Sequence, residues 1–284
     1  MLERVDRMVL AVRDRALATA TFTDVLGAKK VRKGEIGQPY NVHRDVVQAG
    51  DSEFELWEPA GEGLVAQHIE RWGDGIFAAG FSTPDMTDIA RRLTDSGLHF
   101  SYEGSQLLIE PDQTAGMRTV IQASEKRDTV GLISGLYETT NIVDDHKKTA
   151  VQYAGWFGLE ESRYSPISSK AFGYDGTLTL FDPPSRLDRI EITQTNAEGA
   201  MDRFYHRRGQ SLYMCFVETP DYEPIRKRLD ERGGRYAIAS DYPDASMFIH
   251  PTALCGMLMG VSKTNEAWRW SGRPELAPKH ARTA

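Results

Sequence analysis

The chain repeats itself, and the repeat limits what it can fold into more than any other feature. VRDRALATATFTDVLG (12–27) has a counterpart in VDDHKKTAVQYAGWFG (143–158), 131 positions on. FELWEP (54–59) answers to IEITQT (190–195), and IERWGDGIFAAGFSTPDM (69–86) to YHRRGQSLYMCFVETPDY (205–222), both at an offset of 136. IEPDQTAGM (109–117) answers to IHPTALCGM (249–257) at 140. The offset grows slowly, as insertions in loops make it do. A unit of this size must therefore fold twice, giving domains over 1–126 and 134–263 and a charged, turn-prone hinge at SEKRDTVG (124–131). The 284 residues suffice for two ordinary domains, and an apolar share of 40% supports a packed core in each. Residues 264–284 are rich in proline and charge and read as an extended tail, pinned by Trp268 or Trp270.

Each half reads as two βαβββ modules. MVLAV (8–12) has strand character, and RALATATFTDVLG has helix character with Phe22, Val25 and Leu26 on one face and Gly27 as its stop. KKVRK, NVHRDVVQA and SEFELWE follow as strands. GIFAAGF opens the second module. Thr83-Pro84-Asp85 starts a helix with the proline where its missing N–H costs nothing. LHFSYE, QLLIEP and MRTVIQA complete the set, and 134–262 follow the same plan.

Several function classes fall away. The formal net charge is −7 with no basic block, which excludes a nucleic-acid partner of the usual kind. MLERVDRMVLAV carries too short an apolar run for a signal peptide or a membrane span. Cys215 and Cys255 each lie in an apolar run and read as buried free thiols of a reducing compartment, so a soluble cytoplasmic protein is expected. There is no Gly-rich phosphate loop, nucleophile elbow or CxxC pair.

The strand ending AV or IV, the helix finishing in VLG or WFG, the ELWEP-like strand and the TPD-started helix resemble the vicinal oxygen chelate superfamily, over residues 3–263. That superfamily includes glyoxalases, methylmalonyl-CoA epimerases, bleomycin-resistance proteins and type I extradiol dioxygenases. RFYHRRGQSLYMCFVET (203–219) is similar to the epimerase segment that runs into a Gly-Leu-His-His strand. The resemblance implies an α+β fold: tandem βαβββ modules forming two cup-shaped domains, with mixed, mostly antiparallel sheets and helices outside. It also allows a homodimer. In such cups, four inward strand positions hold a divalent metal, as His or Gln, Glu or Gln, His, and Glu. Carried over, those positions are Arg7, Glu55, Ala78 and Val120 in the first half, and Glu138, Glu191, Met214 and Gly260 in the second. An extradiol triad would fall on Glu138, Met214 and Gly260, which disfavours ring-opening dioxygenase chemistry. No cofactor is expected, and a metal is disfavoured.

Strict alternation along the strands sets which residues face each cup. For the first half these are Val5, Arg7, Val9; Glu53, Glu55, Trp57; Ile76, Ala78, Gly80; and Arg118, Val120, Gln122. Arg7 then opposes Glu55, Arg118 lies near Glu53, and the cup reads as plugged and structural, with a small-anion pocket around Arg7 and Arg118 as the alternative. For the second they are Leu136, Glu138, Thr140; Arg189, Glu191, Thr193; Leu212, Met214, Phe216; and Leu258, Gly260, with Tyr213 facing the helices. Two carboxylates in an apolar hollow can divide acid and base roles between them, so Glu138 and Glu191 are the catalytic candidates. A Glu138–Arg189 or Glu191–Arg189 structural pair is the alternative. Met214 is read as wall, because a thioether is adaptable contact surface and a poor ligand for hard cations. Arg189, Leu212, Phe216, Tyr174, His206, His250 and Gly260 join it as substrate-binding candidates, with His206, Arg207 and Arg208 near the mouth. The expected ligand is a small, largely apolar organic molecule, and the expected activity an isomerase or lyase acting next to a carbonyl. A non-catalytic binding protein and a metal enzyme with an unconventional ligand set are the alternatives.

Overall fold

The structure, a computed structural model, describes residues 1–183 and 185–277. The first half runs β1 (Arg4–Ala11), α1 (Arg15–Leu26), β2 (Lys29–Ile36), β3 (Val42–Ala49), β4 (Ser52–Pro59), α2 (Leu64–Trp72), β5 (Gly75–Thr83), α3 (Met86–Asp95), β6 (Ser101–Glu103), β7 (Gln106–Ile109) and β8 (Thr119–Ala123). The second repeats it as β9 (Gly135–Ile142), α4 (His146–Phe157), β10 (Ser165–Ser169), β11 (Tyr174–Leu180), β12 (Arg189–Thr195), α5 (Gly199–Arg208), β13 (Ser211–Thr219), α6 (Glu223–Glu231), β14 (Tyr236–Ile238), β15 (Ser246–Ile249) and β16 (Leu258–Lys263). The strands form two eight-stranded sheets, ordered β2-β3-β4-β1-β5-β8-β7-β6 and β10-β11-β12-β9-β13-β16-β15-β14. Only β1–β4, β5–β8, β9–β12 and β13–β16 pair in parallel, so both sheets are mixed and mostly antiparallel. Among the described residues no helix is long and apolar enough to cross a membrane.

The repeated helix sequence has a local cause. Asp14 accepts from the Leu17 N–H at the start of α1, and Asp145 accepts from Lys147 and Lys148 at the start of α4. Gly27 and Gly158 end them in the left-handed region, at φ 69° and 70°. An aspartate N-cap and a left-handed glycine stop are worth roughly 1 kcal/mol each. The helix faces so fixed bury Phe22 and Leu26, or Tyr153 and Phe157, in one core that both halves share. α2 is an addition that the strand pattern did not announce.

The two halves also interlock through the repeated AGM and CGM turns. Gly116 sits at φ 86° against the Gln210 carbonyl, and Gly256 at φ 80° against the Asp74 carbonyl. A Cβ on Gly256 would lie 1.9 Å from that carbonyl oxygen. Gly256→Ala is therefore expected to cost about 3 kcal/mol, strain plus backbone displacement. Gly97, at φ 76° with nothing within 4 Å of its Cβ position, isolates the strain, and Gly97→Ala should cost only about 1 kcal/mol. Urea unfolding of both variants measures the difference.

Residues 124–131 are not a free hinge. Arg127 is buried against Asp6 and Glu53, and Gly50 bridges Val130. The tail is likewise not extended: residues 266–270 and 274–276 wind into 3-10 turns, and Trp268 is buried beside Tyr137, Met214 and Phe216. Residues 278–284 lie outside the described residues.

Strict alternation fails at a bulge in the edge strand β2, at Val31, and at four more placed equivalently in the two halves. Against β5, the β1 register slips at Asp6, and β5 itself slips at Phe77. Between β9 and β13 the extra residues are Tyr137 and Tyr213. A bulge turns the side chains beyond it to the other face. Val5, Ile76, Leu136 and Leu212, expected inside the cups, consequently face the shared core. Phe77, Tyr137 and Tyr213 turn into the cups instead.

Candidate active site

The two cups carry the same ion pair with its signs exchanged. Arg7 on β1 stands directly across from Glu53 on β4, and Glu138 on β9 directly across from Arg189 on β12. Arg7 Nη2 lies 2.9 Å from Glu53 Oε2, and Arg189 Nε donates to Glu138 Oε2. Two residues further along, β4 and β12 each present a buried carboxylate, Glu55 and Glu191.

The exchange gives those two carboxylates opposite surroundings. In the first cup Arg7 donates to Glu55 as well, Arg44 stands 3.3 Å away, and Gln106 Nε2 and Trp57 Nε1 donate at 2.6 and 2.9 Å. Burial alone would raise Glu55, but the Arg7 and Arg44 guanidinium groups hold it down to about 2. In the second cup the Arg189 Nε is engaged by Glu138. Glu191 receives only neutral hydroxyls, from Thr140 at 2.6 Å and Tyr174 at 3.0 Å. Burial and the neighbouring Glu138 carboxylate push it up to about 7. Burial also raises Glu138, while Arg189 draws it back. Burial, then Glu191, keeps the Tyr174 phenol protonated, so it stays a donor. An ion-paired Glu138 beside a Glu191 that burial raises toward neutrality is an arrangement able to accept and return a proton.

The cups differ in room as well. Tyr40, Trp57 and Phe77 pack against one another in the first cup, with Val65 and Ile69 of α2 over them. Arg118 stacks on Phe77 at 3.9 Å and pairs with Glu110, not with Glu53 as the alternation suggested. The second cup encloses a cavity of about 650 Å³. Glu138, Thr140, Tyr174 and Glu191 form its polar patch, and Phe172, Tyr213, Met214, Phe216, Phe248 and Trp270 its walls.

Most of the candidates from the sequence meet here. Met214 is wall, 6% exposed, and Phe216, Tyr174 and His250 also line the cavity. His250 Nδ1 lies 2.8 Å from Thr252 Oγ1. Four candidates do not line it. Leu212 was displaced by the bulge at Tyr213 and faces the shared core. Gly260 leaves no room for a ligand, because the Phe216 ring covers it and a Cβ there would lie 2.1 Å from that ring. Arg189 is fully buried in its pair with Glu138. His206 is exposed and tied to Asp202 at the far end of α5, whose first turn, with Ala200 and Met201, is the part that lines the cavity. Arg208, beside it, stacks instead on Trp72 and Phe204. Phe172, Tyr213, Phe248 and Trp270 line the cavity without having been named for it from the sequence. Tyr213 occupies the repeat position of Phe77, and that equivalence was the one signal that could have found it.

No family model and no curated protein matches the sequence. Among solved structures, a triple mutant of 4-hydroxymandelate synthase from Streptomyces coelicolor superposes with a TM-score of 0.73 at 13% identity, over 97% of this chain and 97% of that one. A xylose isomerase-like TIM barrel/4-hydroxyphenylpyruvate dioxygenase fusion protein superposes with a TM-score of 0.63 at 11% identity, over 93% of this chain and 49% of that one. Both agreements run through the two cups together. The chain has the tandem vicinal oxygen chelate fold.

That fold brings a metal into question at Glu138, Glu191, Met214 and Gly260. Among the described residues no three His, Cys, Asp or Glu side chains cluster as ligands. The chemistry of the set decides the matter. Glu138 is neutralised by Arg189, Met214 offers a thioether, and a phenyl ring lies over Gly260. A hard cation takes six or more oxygens, and a softer one wants imidazole or thiolate. The residues present in this vicinal oxygen chelate cup do not fit a divalent metal.

Proposed function

We propose that the second cup is the active site of an enzyme that moves a proton on a small, largely apolar organic molecule without a metal, as an isomerase or lyase acting next to a carbonyl. Glu191 is the base, oriented by Tyr174 and Thr140. Glu138 forms an ion pair with Arg189, which leaves Glu191 the carboxylate of the patch that only hydroxyls contact. The observation that carries the reading is the contrast between Glu55, which Arg7 and Arg44 contact, and Glu191, at the same position of the second half, which receives only the Thr140 and Tyr174 hydroxyls. An apolar hollow alone would suit a sequestering protein; a carboxylate poised at neutrality favours chemistry.

The test is hydrogen exchange. Chelator-treated protein is incubated in D2O with a set of small ketones and thioesters, and loss of the α-proton is followed by NMR. Exchange that persists in EDTA and disappears in Glu191→Gln is expected. Exchange lost to EDTA and restored by a divalent ion would overturn the metal-free mechanism.

A further inference from the structure

We propose that Arg235 selects an anionic group on the ligand of the second cup, so that the cavity takes an apolar body bearing a carboxylate or phosphate at its mouth end. This rests on the reading of that cavity as a ligand site. Among the described residues Arg235 is the sole lysine or arginine on the cavity wall. Its guanidinium has no ion pair or hydrogen bond among them. Its neighbours in sequence behave otherwise: Arg226 pairs with Glu223, Arg228 donates to the Asp24 carbonyl, and Arg232 pairs with Asp24. Gly233 and Gly234 carry the chain out of α6, and Arg235 stands where β14 begins at the rim. There its backbone is fixed, because the His250 N–H donates to the Arg235 carbonyl at 2.9 Å.

A guanidinium is always charged and presents a planar fork that matches carboxylate and phosphate oxygens. Left without a carboxylate of its own on the wall of an apolar cavity, it is available to a ligand's. Insertion then has one sense. The apolar body packs among Phe172, Phe216 and Phe248, the anion stays at the mouth, and the far end of the body meets Glu191. The opposite sense would bring an anion against the Glu191 carboxylate. Asp241 shares the rim and accepts from Ser240, so a cationic ligand is the competing outcome.

Calorimetric titration with naphthylacetate, naphthyl phosphate, naphthylacetamide and naphthylmethylamine separates these. Either or both anions should bind about tenfold tighter than the amide, and whichever binds tighter identifies the oxygen group. Arg235→Gln should remove the preference, bringing the anions' affinity down to that of the amide, and Arg235→Lys should restore part of it. Equal binding of acid and amide, tighter binding of the amine, or a preference that survives Arg235→Gln overturns the role of Arg235 and leaves the cavity reading standing. If none of the four binds, both fall.

Discussion

Glu191→Gln is expected to unfold at higher urea than the parent protein at pH 8, and to lose proton exchange by a factor of about 10²–10⁴, the usual contribution of a positioned general base. The two effects have one source. A buried carboxylate raised to about 7 from the ordinary 4.5 keeps its proton in the folded state over a range where the unfolded chain has released it. Folding then takes up a proton, so the group's contribution to stability falls as pH rises from 4.5 through 7 and is most unfavourable above that. The linkage amounts to about 3 kcal/mol by pH 8. An amide has no charge to desolvate, so Gln at 191 recovers much of that at pH 8 and little at pH 4.5. Unfolding at both pH values measures the difference. Equal stability changes at the two would show that Glu191 does not titrate in this window. Gained stability with lost activity is the trade expected where a carboxylate is buried for chemistry.

The second large effect lies in the first cup. Arg7 is fully buried and pairs with Asp6, Glu53 and Glu55. Arg7→Met should destabilise the protein by about 5 kcal/mol, because it strands buried negative charge with no water to solvate it. Arg44 and Arg127 share the load at Glu55 and Asp6 but do not replace the fork between them. Arg189→Met removes the partner of one carboxylate, and should cost about 3 kcal/mol. Adding Glu55→Gln to Arg7→Met should restore part of the loss. A cost under about 1 kcal/mol for Arg7→Met would mean that water reaches the first cup.

Much of this was legible in the sequence, for reasons that can be stated. The aspartate caps and glycine stops recur at fixed offsets because each half needs the same helix at the same place, so the duplication and its βαβββ plan could be read directly. Glu138 and Met214 fell on the cup because they lie between the two bulges of β9 and β13, and Glu191 because β12 has none, so alternation holds at all three. Leu212, Val5 and Leu136 were misplaced because each lies beyond an inserted residue, and a period of two cannot register one. Gly260 fails as a substrate-binding position because the ring of Phe216 from the adjacent strand fills the space above it, which no pattern along one strand reports. The exchanged ion pair was visible as charges but not as a geometry. Only the direct cross-strand registers of Arg7 with Glu53 and of Glu138 with Arg189 show which carboxylate is left over.

That leftover carboxylate is what the proposed chemistry depends on, and it can be observed without a substrate. Protein labelled with carbon-13 at the glutamate side-chain carboxyls, titrated from pH 5 to 9 by NMR, should show a signal moving with a midpoint near 7 that vanishes in Glu191→Gln, while the Glu55 signal stays fixed and ionised throughout. A Glu191 signal already fully ionised at pH 5 would contradict the account, because the carboxylate would then be an ordinary one and not held near neutrality by its burial beside Glu138.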